Sequence, residues 1–311
     1  MKKHFMLGSR GSTLALLQTQ EVIDALQLAY PDYEFEIMII STQGDRQRWL
    51  PLSRIGGKGL FVKEIQLALL SGEVDMAVHS FKDLPTEPTP GLEVAAYCKR
   101  LDPRDVLVSR QGLSLSYLPP GAVLGTSSPR RAAQIKARRP DLIFRDLRGN
   151  VETRLRKVSQ GEVDGAVLAA AGVLRLGAEA QITQFLSPEE CLPAVGQGAL
   201  AVETRAEDEV TKDLLKTVDH LLTRQALAAE RSLLETLQGG CYIPLGALAQ
   251  VDGKTLELHG MIASLDGSQV LRYHLSGRAE EGAAIGRQVA ERLLEMGGRE
   301  LVEAAWAARS S

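Results

Sequence analysis

Three phrases occur twice, in the same order, within the first 200 residues. "LGS" at 7–9 returns as "LGTS" at 124–127, "PDYEFEIMII" from 31 as "PDLIFRDL" from 140, and "GEVDMAV" at 72–78 as "GEVDGAV" at 161–167. A chain that repeats its turns in order repeats its fold, so two lobes of one design are expected. Each copy reads as strand, Gly/Ser turn, helix, Pro-Asp break and strand. In the first copy Val22, Ala25, Leu26 and Ala29 keep the spacing of a helix lying on a sheet. Strands alternating with helices predict α/β lobes with largely parallel pairing.

The first copy is the longer one. Its surplus lies around "RWLPLSRIGGKGLF" (48–61), whose three glycines predict a mobile loop. "KRLDPRD" (99–105) and "LPAVGQGA" (192–199) read as crossings between lobes, and "ALAVETR" opens a segment expected to return to the first sheet. The expected domains are 1–98 with 199–217 (lobe 1), 99–198 (lobe 2) and 218–311, a small α+β domain. That last domain reads as a helix over 219–237, a three-stranded antiparallel sheet with hairpin turns at Asp252-Gly253 and Asp266-Gly267, and two closing helices.

Composition narrows the function. The net charge of −3 excludes a general polycation. Three cysteines, at 98, 191 and 241, give no disulfide framework and favour a reducing compartment. No apolar run approaches the ~18 residues of a membrane span, and the three apolar residues before Gly8 are too few for a leader core. A cytoplasmic protein with no membrane partner is expected.

Polar groups gather where an open α/β sheet presents its site, at the carboxyl ends of the strands. "LGSRGSTLAL" places Ser9, Arg10 and Ser12 there, and "LGTSSPRRAA" places Thr126, Ser127 and Ser128. Pro129 suits the first helical position, which makes Ser128 the expected N-cap. Arg130 and Arg131 then oppose the helix dipole, a broken local rule of the kind that marks function. From Thr126 to Lys157 there are ten Lys or Arg against three Asp or Glu. Arg148 and Arg154 flank a Gly-Asn turn, and guanidinium groups suit carboxylates or phosphates. This composition alone leaves a polycarboxylate and RNA both open. "AVHSFKDLP" (77–85) ends a buried strand in His79, Ser80, Lys82 and Asp83, whereas the second copy is apolar there until Arg175. Only one lobe is therefore expected to carry an acid. "RIGGKGLF" lacks the order of a phosphate-binding P-loop and is rejected as one. Finally, "GGCYIPLGA" (239–247) sets Cys241 on a glycine turn, Gly239 and Gly240 being expected to clear space around the thiol, with no cysteine or histidine beside it, so no metal site is read there.

Together "GSRGSTLAL", "GGKGLFVKE", "DMAVHSFKDLP", "DPRD", "GTSSPRR", "LRGNVETRL", "LPAVGQGAL" and "GGCYIPLG" closely resemble the porphobilinogen deaminase (hydroxymethylbilane synthase) family, in family order from residue 8 to 246. Pro129, Asp146 and Tyr242 depart from familiar forms of these motifs without removing a group the chemistry needs. The resemblance implies two lobes like those of periplasmic binding proteins. It also implies a transferase of tetrapyrrole (heme) biosynthesis that joins four porphobilinogen molecules head to tail with loss of ammonia. The primer is a dipyrromethane cofactor held through a thioether at Cys241, and hydrolysis releases the linear hydroxymethylbilane. Each pyrrole carries an acetate and a propionate, which accounts for an arginine-rich stretch in an acidic protein.

Residue by residue, the resemblance implies that Asp83 stabilises the cation formed as the amine leaves. Ser80, Lys82, Asp83, Thr126, Ser127, Ser128, Arg130 and Arg131 are implied to contact the cofactor. Arg10, Arg148 and Arg154 are implied to hold incoming and growing carboxylates in catalysis, with Ser12, Gln18, Lys58 and Arg175 further along the substrate path. The family also implies a monomer. Two other classes remain to be weighed: a two-lobed small-anion binding module without catalysis, and an RNA binder using 130–157. The RNA reading is weakened by a single aromatic, Phe144, in that stretch, so no nucleic-acid partner is expected.

Overall fold

The structure, a computed structural model, describes residues 2–42, 62–240 and 242–310. The expected loop 48–61, with Lys58 in it, and Cys241 lie outside the described residues.

In chain order the first elements are β1 (His4–Ser9), α1 (Thr13–Ala29), β2 (Glu34–Ile39), α2 (Lys63–Ser71), β3 (Met76–Ser80) and β4 (Leu92–Tyr97). They are followed by β5 (Asp105–Ser109), β6 (Val123–Gly125), α3 (Pro129–Arg138), β7 (Ile143–Arg145), α4 (Val151–Ser159), β8 (Gly165–Ala169), α5 (Ala170–Arg175) and β9 (Gln184–Phe185). Then come β10 (Leu200–Arg205), α6 (Glu209–Leu215), α7 (Leu221–Thr236), β11 (Leu245–Asp252), β12 (Thr255–Ala263), β13 (Val270–Arg278), α8 (Gly282–Leu293) and α9 (Arg299–Ser310).

The repeat becomes two sheets of one topology. Their strand orders are β2-β1-β3-β10-β4 and β7-β6-β8-β5-β9. In each, the first three strands run parallel and the fourth is antiparallel. In the first sheet β10 returns from later in the chain to lie between β3 and β4. In the second, β5 takes the same place between β8 and β9. The two lobes are thus α/β sheets of one strand order, as the repeat implies.

Each sheet buries both faces, as parallel sheets require. In lobe 1, α1 covers Phe5, Leu7, Met76, Val78, Leu200 and Val202, while α2 covers Val74, Ala77 and Leu92 on the opposite face. In lobe 2, Ile135 of α3 packs with Leu107, Leu124 and Val167, and Leu155 of α4 with Val108 and Leu168. The third sheet is the expected antiparallel meander β11-β12-β13. Its hairpins turn at Gly253 (φ 58°) and Gly267 (φ 78°), left-handed positions that glycine fills without strain.

The chain divides into two compact units, 1–101 with 198–224 and 102–197 with 225–311. Lobe 2 and the third sheet belong to the same unit and are tightly joined. A Cβ on Gly267 would lie 2.5 Å from the Ala133 carbonyl oxygen of α3. Arg272 of β13 donates to Gln134 and to the Pro188 carbonyl (2.7 and 3.0 Å). The buried Glu230 carboxylate of α7 accepts the amides of Gly196 and Ala249 (2.7 and 2.8 Å).

Candidate active site

In lobe 1 the buried strand β3 ends in a single 3₁₀ turn, Phe81–Asp83. Phe81 is buried and packs edge-on against Tyr97, with ring centroids 5.6 Å apart. Its amide donates to the Ala199 carbonyl (3.0 Å), and its own carbonyl accepts the Leu84 amide (3.1 Å). With Phe81 as the plug, Lys82 and Asp83 are turned outward and exposed. Gln18 of α1 donates to the Ser80 hydroxyl (2.9 Å), so two expected site residues touch. Arg10 follows β1, the parallel neighbour of β3. Ser12 caps α1, its hydroxyl accepting the Ala15 amide (3.3 Å), which gives it a structural task. His79 is not part of this exposed group; it is buried among β3, β10 and α2.

In lobe 2 the turn Thr126–Ser128 leads into α3 as expected, with Ser128 as N-cap and Pro129 in the first turn. The amides of Ser128 and Arg131 already bond to Thr126 and Ser128 hydroxyls (3.2 and 3.4 Å). The attraction for anions therefore rests on side chains more than on bare amides.

Arg130 and Arg131 are where the geometry departs most from the expectation. Both are buried, and both guanidinium heads engage Asp105 at the start of β5, which is 0% exposed. Arg130 Nη1 lies 2.6 Å from Asp105 Oδ2 and 2.7 Å from the Leu192 carbonyl. Arg131 donates to Asp105 Oδ1 (2.7 Å), the Val167 carbonyl (3.0 Å) and Gln197 Oε1 (3.4 Å). Gln197 in turn donates to Asp105 and to the Pro103 carbonyl (2.9 and 2.7 Å). Both guanidinium heads are thus anchored on the same buried carboxylate. Two guanidiniums share one carboxylate, which leaves a net positive charge inside the lobe. Burial works against the Asp105 carboxylate, but the two arginines outweigh it and hold its titration far below the usual range. Cys191 joins the cluster, its thiol donating to Asp105 (3.3 Å). Burial and then Asp105 push that thiol up to about 12, so it stays neutral.

Next to this cluster stand Arg148 and Arg154. Arg154 Nε donates to the Gly149 carbonyl (2.9 Å), and Arg148 Nε to Asp146 (2.8 Å). Burial, and then repulsion by Arg131 and Arg148, bring Arg154 down to about 10, with Asp146 only partly offsetting them. A guanidinium whose charge its surroundings resist is one whose surroundings call for an added anion. Asp146 stays ionised: burial raises its titration point, but a hydrogen bond from Ser127 and the charge of Arg148 lower it further. Arg175 lies in the last turn of α5.

The flanks of Cys241 also bear on the site. A Cβ at Gly240 would meet nothing within 4 Å, so space is open there. Gly239 has a different reason to be glycine: a Cβ there would lie 2.6 Å from Leu234 Cδ1. Of the pair expected to clear space around the sulfur, only Gly240 faces an opening. Among the described residues no cluster of His, Cys, Asp or Glu has the geometry of a metal site.

Sequence reasoning passed over Asp105, Gln197 and Gln134 as site residues. The one signal for Asp105 is its place in "DPRD"; that it pairs with Arg130 and Arg131 follows only from their burial, since buried guanidiniums need a carboxylate.

Over residues 5–213 the chain matches the family described as Porphobilinogen deaminase, dipyromethane cofactor binding domain, and over 225–295 the one described as Porphobilinogen deaminase, C-terminal domain. A Brevibacillus brevis protein named porphobilinogen deaminase is 51% identical over 292 residues, covering 94% of each chain. One of the same name from Syntrophus aciditrophicus is 49% identical over 297 residues, 96% of this chain and 97% of its own. Among solved structures, the BenM effector binding domain with benzoate aligns with a TM-score of 0.43 at 16% identity, covering 70% of this chain and 91% of that one.

Proposed function

Because the chain belongs to the porphobilinogen deaminase family, we propose that it is a transferase of heme biosynthesis that condenses four porphobilinogen molecules on a dipyrromethane primer held by Cys241. In each step the substrate's methylene forms a bond to a ring carbon, its aminomethyl nitrogen leaves as ammonia, and the ring carbon loses its proton. Hydrolysis then frees hydroxymethylbilane. When bound, the primer supplies the ring carbon that is attacked and the charges that hold it in place.

The observation that carries this reading is Arg154, a half-buried arginine held on the Gly149 carbonyl beside Arg131 and Arg148, whose surroundings bring it down to about 10. Such a site suits a ligand that brings paired carboxylates. Thr126, Ser127, Ser128 and the field of Arg130 and Arg131 receive the cofactor's acetate and propionate side chains. Arg148 and Arg154 take those of the growing chain, with Arg10 serving the incoming ring and Arg175 the path beyond. On lobe 1, Ser80 and Lys82 add donors at the end of β3, with Gln18 orienting the Ser80 hydroxyl. Asp83, exposed on a rigid turn, stabilises positive charge on the substrate ring as the amine leaves. That is preorganised electrostatic catalysis, and the same carboxylate is placed to move the departing proton. Lys58 belongs to the proposed substrate path by its motif.

The intact mass tests the reading. The purified protein is expected to exceed its sequence mass by two pyrrole units, and Cys241→Ser to lose that excess. The bare mass in the unmutated protein would favour a two-lobed anion binder without catalysis. Among the described residues no helix is long and apolar enough to cross a membrane. A cytoplasmic monomer is part of the proposal, and light scattering is expected to give a mass near 33.7 kDa.

A further inference from the structure

Lobe 1 buries a polar group that its twin does without. On the α2 face of the first sheet, His79 Nε2 lies 3.3 Å from Glu203 Oε2, within ion-pair distance but off the line of a hydrogen bond. Both residues are buried. Gln66 of α2 donates to both Glu203 oxygens (3.0 and 3.2 Å) and accepts from the Thr89 hydroxyl (3.1 Å).

The second lobe serves as a built-in control. Gly8 stands opposite Ala77 in lobe 1 as Gly125 stands opposite Ala166 in lobe 2, so His79 corresponds to Leu168. Glu203 faces Ala77 as Val108 faces Ala166. Gln66 precedes the left-handed Gly72 by six residues, as Leu155 precedes the left-handed Gly161. Leu168, Val108 and Leu155 all lie in one apolar cluster of lobe 2. The fold therefore accepts leucine, valine and leucine where lobe 1 has histidine, glutamate and glutamine. Well-packed apolar replacements of buried ion pairs are commonly neutral or stabilising, so stability does not explain the polar set.

The chain that follows offers a reason. In lobe 2, β8 runs straight into the helix α5, whose Ala170 and Val173 pack into the apolar cluster. In lobe 1, β3 runs into the Phe81–Asp83 turn and then an irregular stretch containing Pro85, Pro88 and Pro90. His79 stands four residues before Asp83 and Thr89 six after it. The chain Thr89–Gln66–Glu203–His79 thus ties both ends of this stretch to α2 and β10. The hydrogen bonds of Gln66 are directional and hold Thr89 and Glu203 against sliding, which an apolar filling does not.

We infer that His79, Gln66 and Glu203, with Thr89, are positioning residues that pin both ends of the turn presenting Asp83. The inference rests on the proposed role of Asp83. A displacement of about 1 Å at a reacting group can lower a rate about 100-fold.

Transplanting lobe 2's solution tests it. The triple variant His79→Leu, Gln66→Leu, Glu203→Val is expected to melt no lower than the unmutated protein and to carry the same adduct mass. Its KM should stay within about twofold while kcat falls about 10- to 100-fold. Independently of turnover, amide exchange across 80–89 should quicken at least about tenfold, as it does where local opening becomes easier. A stable triple variant with unchanged kcat, or with unchanged exchange over 80–89, overturns the inference. Should that variant fail to fold, Thr89→Val alone is expected to lower kcat about threefold, with Thr89→Ser restoring it; an unaffected Thr89→Val overturns the inference equally. An unmutated protein lacking the two-pyrrole mass overturns the proposed function instead, and leaves the exchange result to judge the pinning.

Discussion

Lobes 1 and 2 share a strand order, yet they show different charges. Lobe 1 puts a carboxylate, Asp83, on an exposed turn after its third parallel strand. Lobe 2 has Gly172 inside a helix at the corresponding point and gathers guanidiniums one turn away in topology, at the head of α3. Inside the sheets the contrast reverses. Lobe 2 buries Asp105, opposite Ala169, whereas lobe 1 has Leu200 opposite Ser80. A duplicated fold fixes where groups can be shown and leaves free which groups are shown; the chemistry comes from that freedom.

The sharpest way to break the comparison is to empty the exposed acid at the end of β3. Asp83→Ala is expected to leave the melting temperature nearly unchanged, because the side chain is exposed. Turnover should fall at least about 100- to 1000-fold, the usual loss for a preorganised charge that acts on the transition state. Steady-state rates alongside thermal melts check both. Turnover near normal would remove Asp83 from catalysis and make the two lobes chemically alike.

Asp105→Asn attacks the buried charge of lobe 2. It leaves two guanidiniums without their carboxylate, which costs on the order of 3–5 kcal/mol. The pH dependence follows from sign. Asp105 titrates far below the usual range when folded and near ~4 when unfolded. Its contribution is present above about pH 4 and is lost as pH falls toward the folded value. Acid melts between about pH 4 and 2 should therefore be steeper in the unmutated protein than in the variant. Equal slopes would mean that the triad does not couple to folding.

Arg154 is expected to separate stability from function. Its folded value of about 10 lies below the ordinary 12.5. The folded lobe resists this charge below about pH 10, and stability from this group rises as pH climbs from about 10 toward 12.5. Arg154→Met should raise the melting temperature by a few degrees at neutral pH while elongation stalls at partial chain lengths. Mass spectra of reacting protein would reveal the stalled species. A lower melting temperature together with full elongation would make Arg154 an ordinary structural residue.

How much of this could be read in advance follows the same division. The two lobes, the returning strand and the hairpin sheet were legible because repeats, turn glycines and apolar periods are local signals. Ser128, Pro129 and the exposed Asp83 were legible for the same reason. The fate of Arg130 and Arg131 was not, because it is decided by Asp105, which is 25 residues from Arg130 in sequence. The packing of Gly239 against Leu234 is hidden for a similar cause, being a contact made only once the turn has closed. His79 sat in plain view in "AVHSFKDLP", but strand alternation turns it to the face opposite Ser80, and its partner Glu203 arrives from a distant strand.

The smallest expected effect compares the two helix caps. Ser12 and Ser128 each accept an amide three residues on, from Ala15 and Arg131. Replacing either by alanine should cost about 0.5–2 kcal/mol of stability. The two should then part in their second consequence. Ser12 caps a helix whose first turn carries no charge, so its loss should appear in the melting temperature alone. Ser128 caps the helix that carries Arg130 and Arg131, and its hydroxyl bonds the Arg131 amide itself. Loosening that turn shifts a guanidinium that presses on Arg154, so Ser128→Ala should also slow acquisition of the cofactor mass by about two- to fivefold. A time course of intact mass after adding porphobilinogen to cofactor-free protein reads this directly. If both alanine variants load at the unmutated rate, the head of α3 is merely a capped helix end, and the anion-binding part of lobe 2 falls to Arg148 and Arg154.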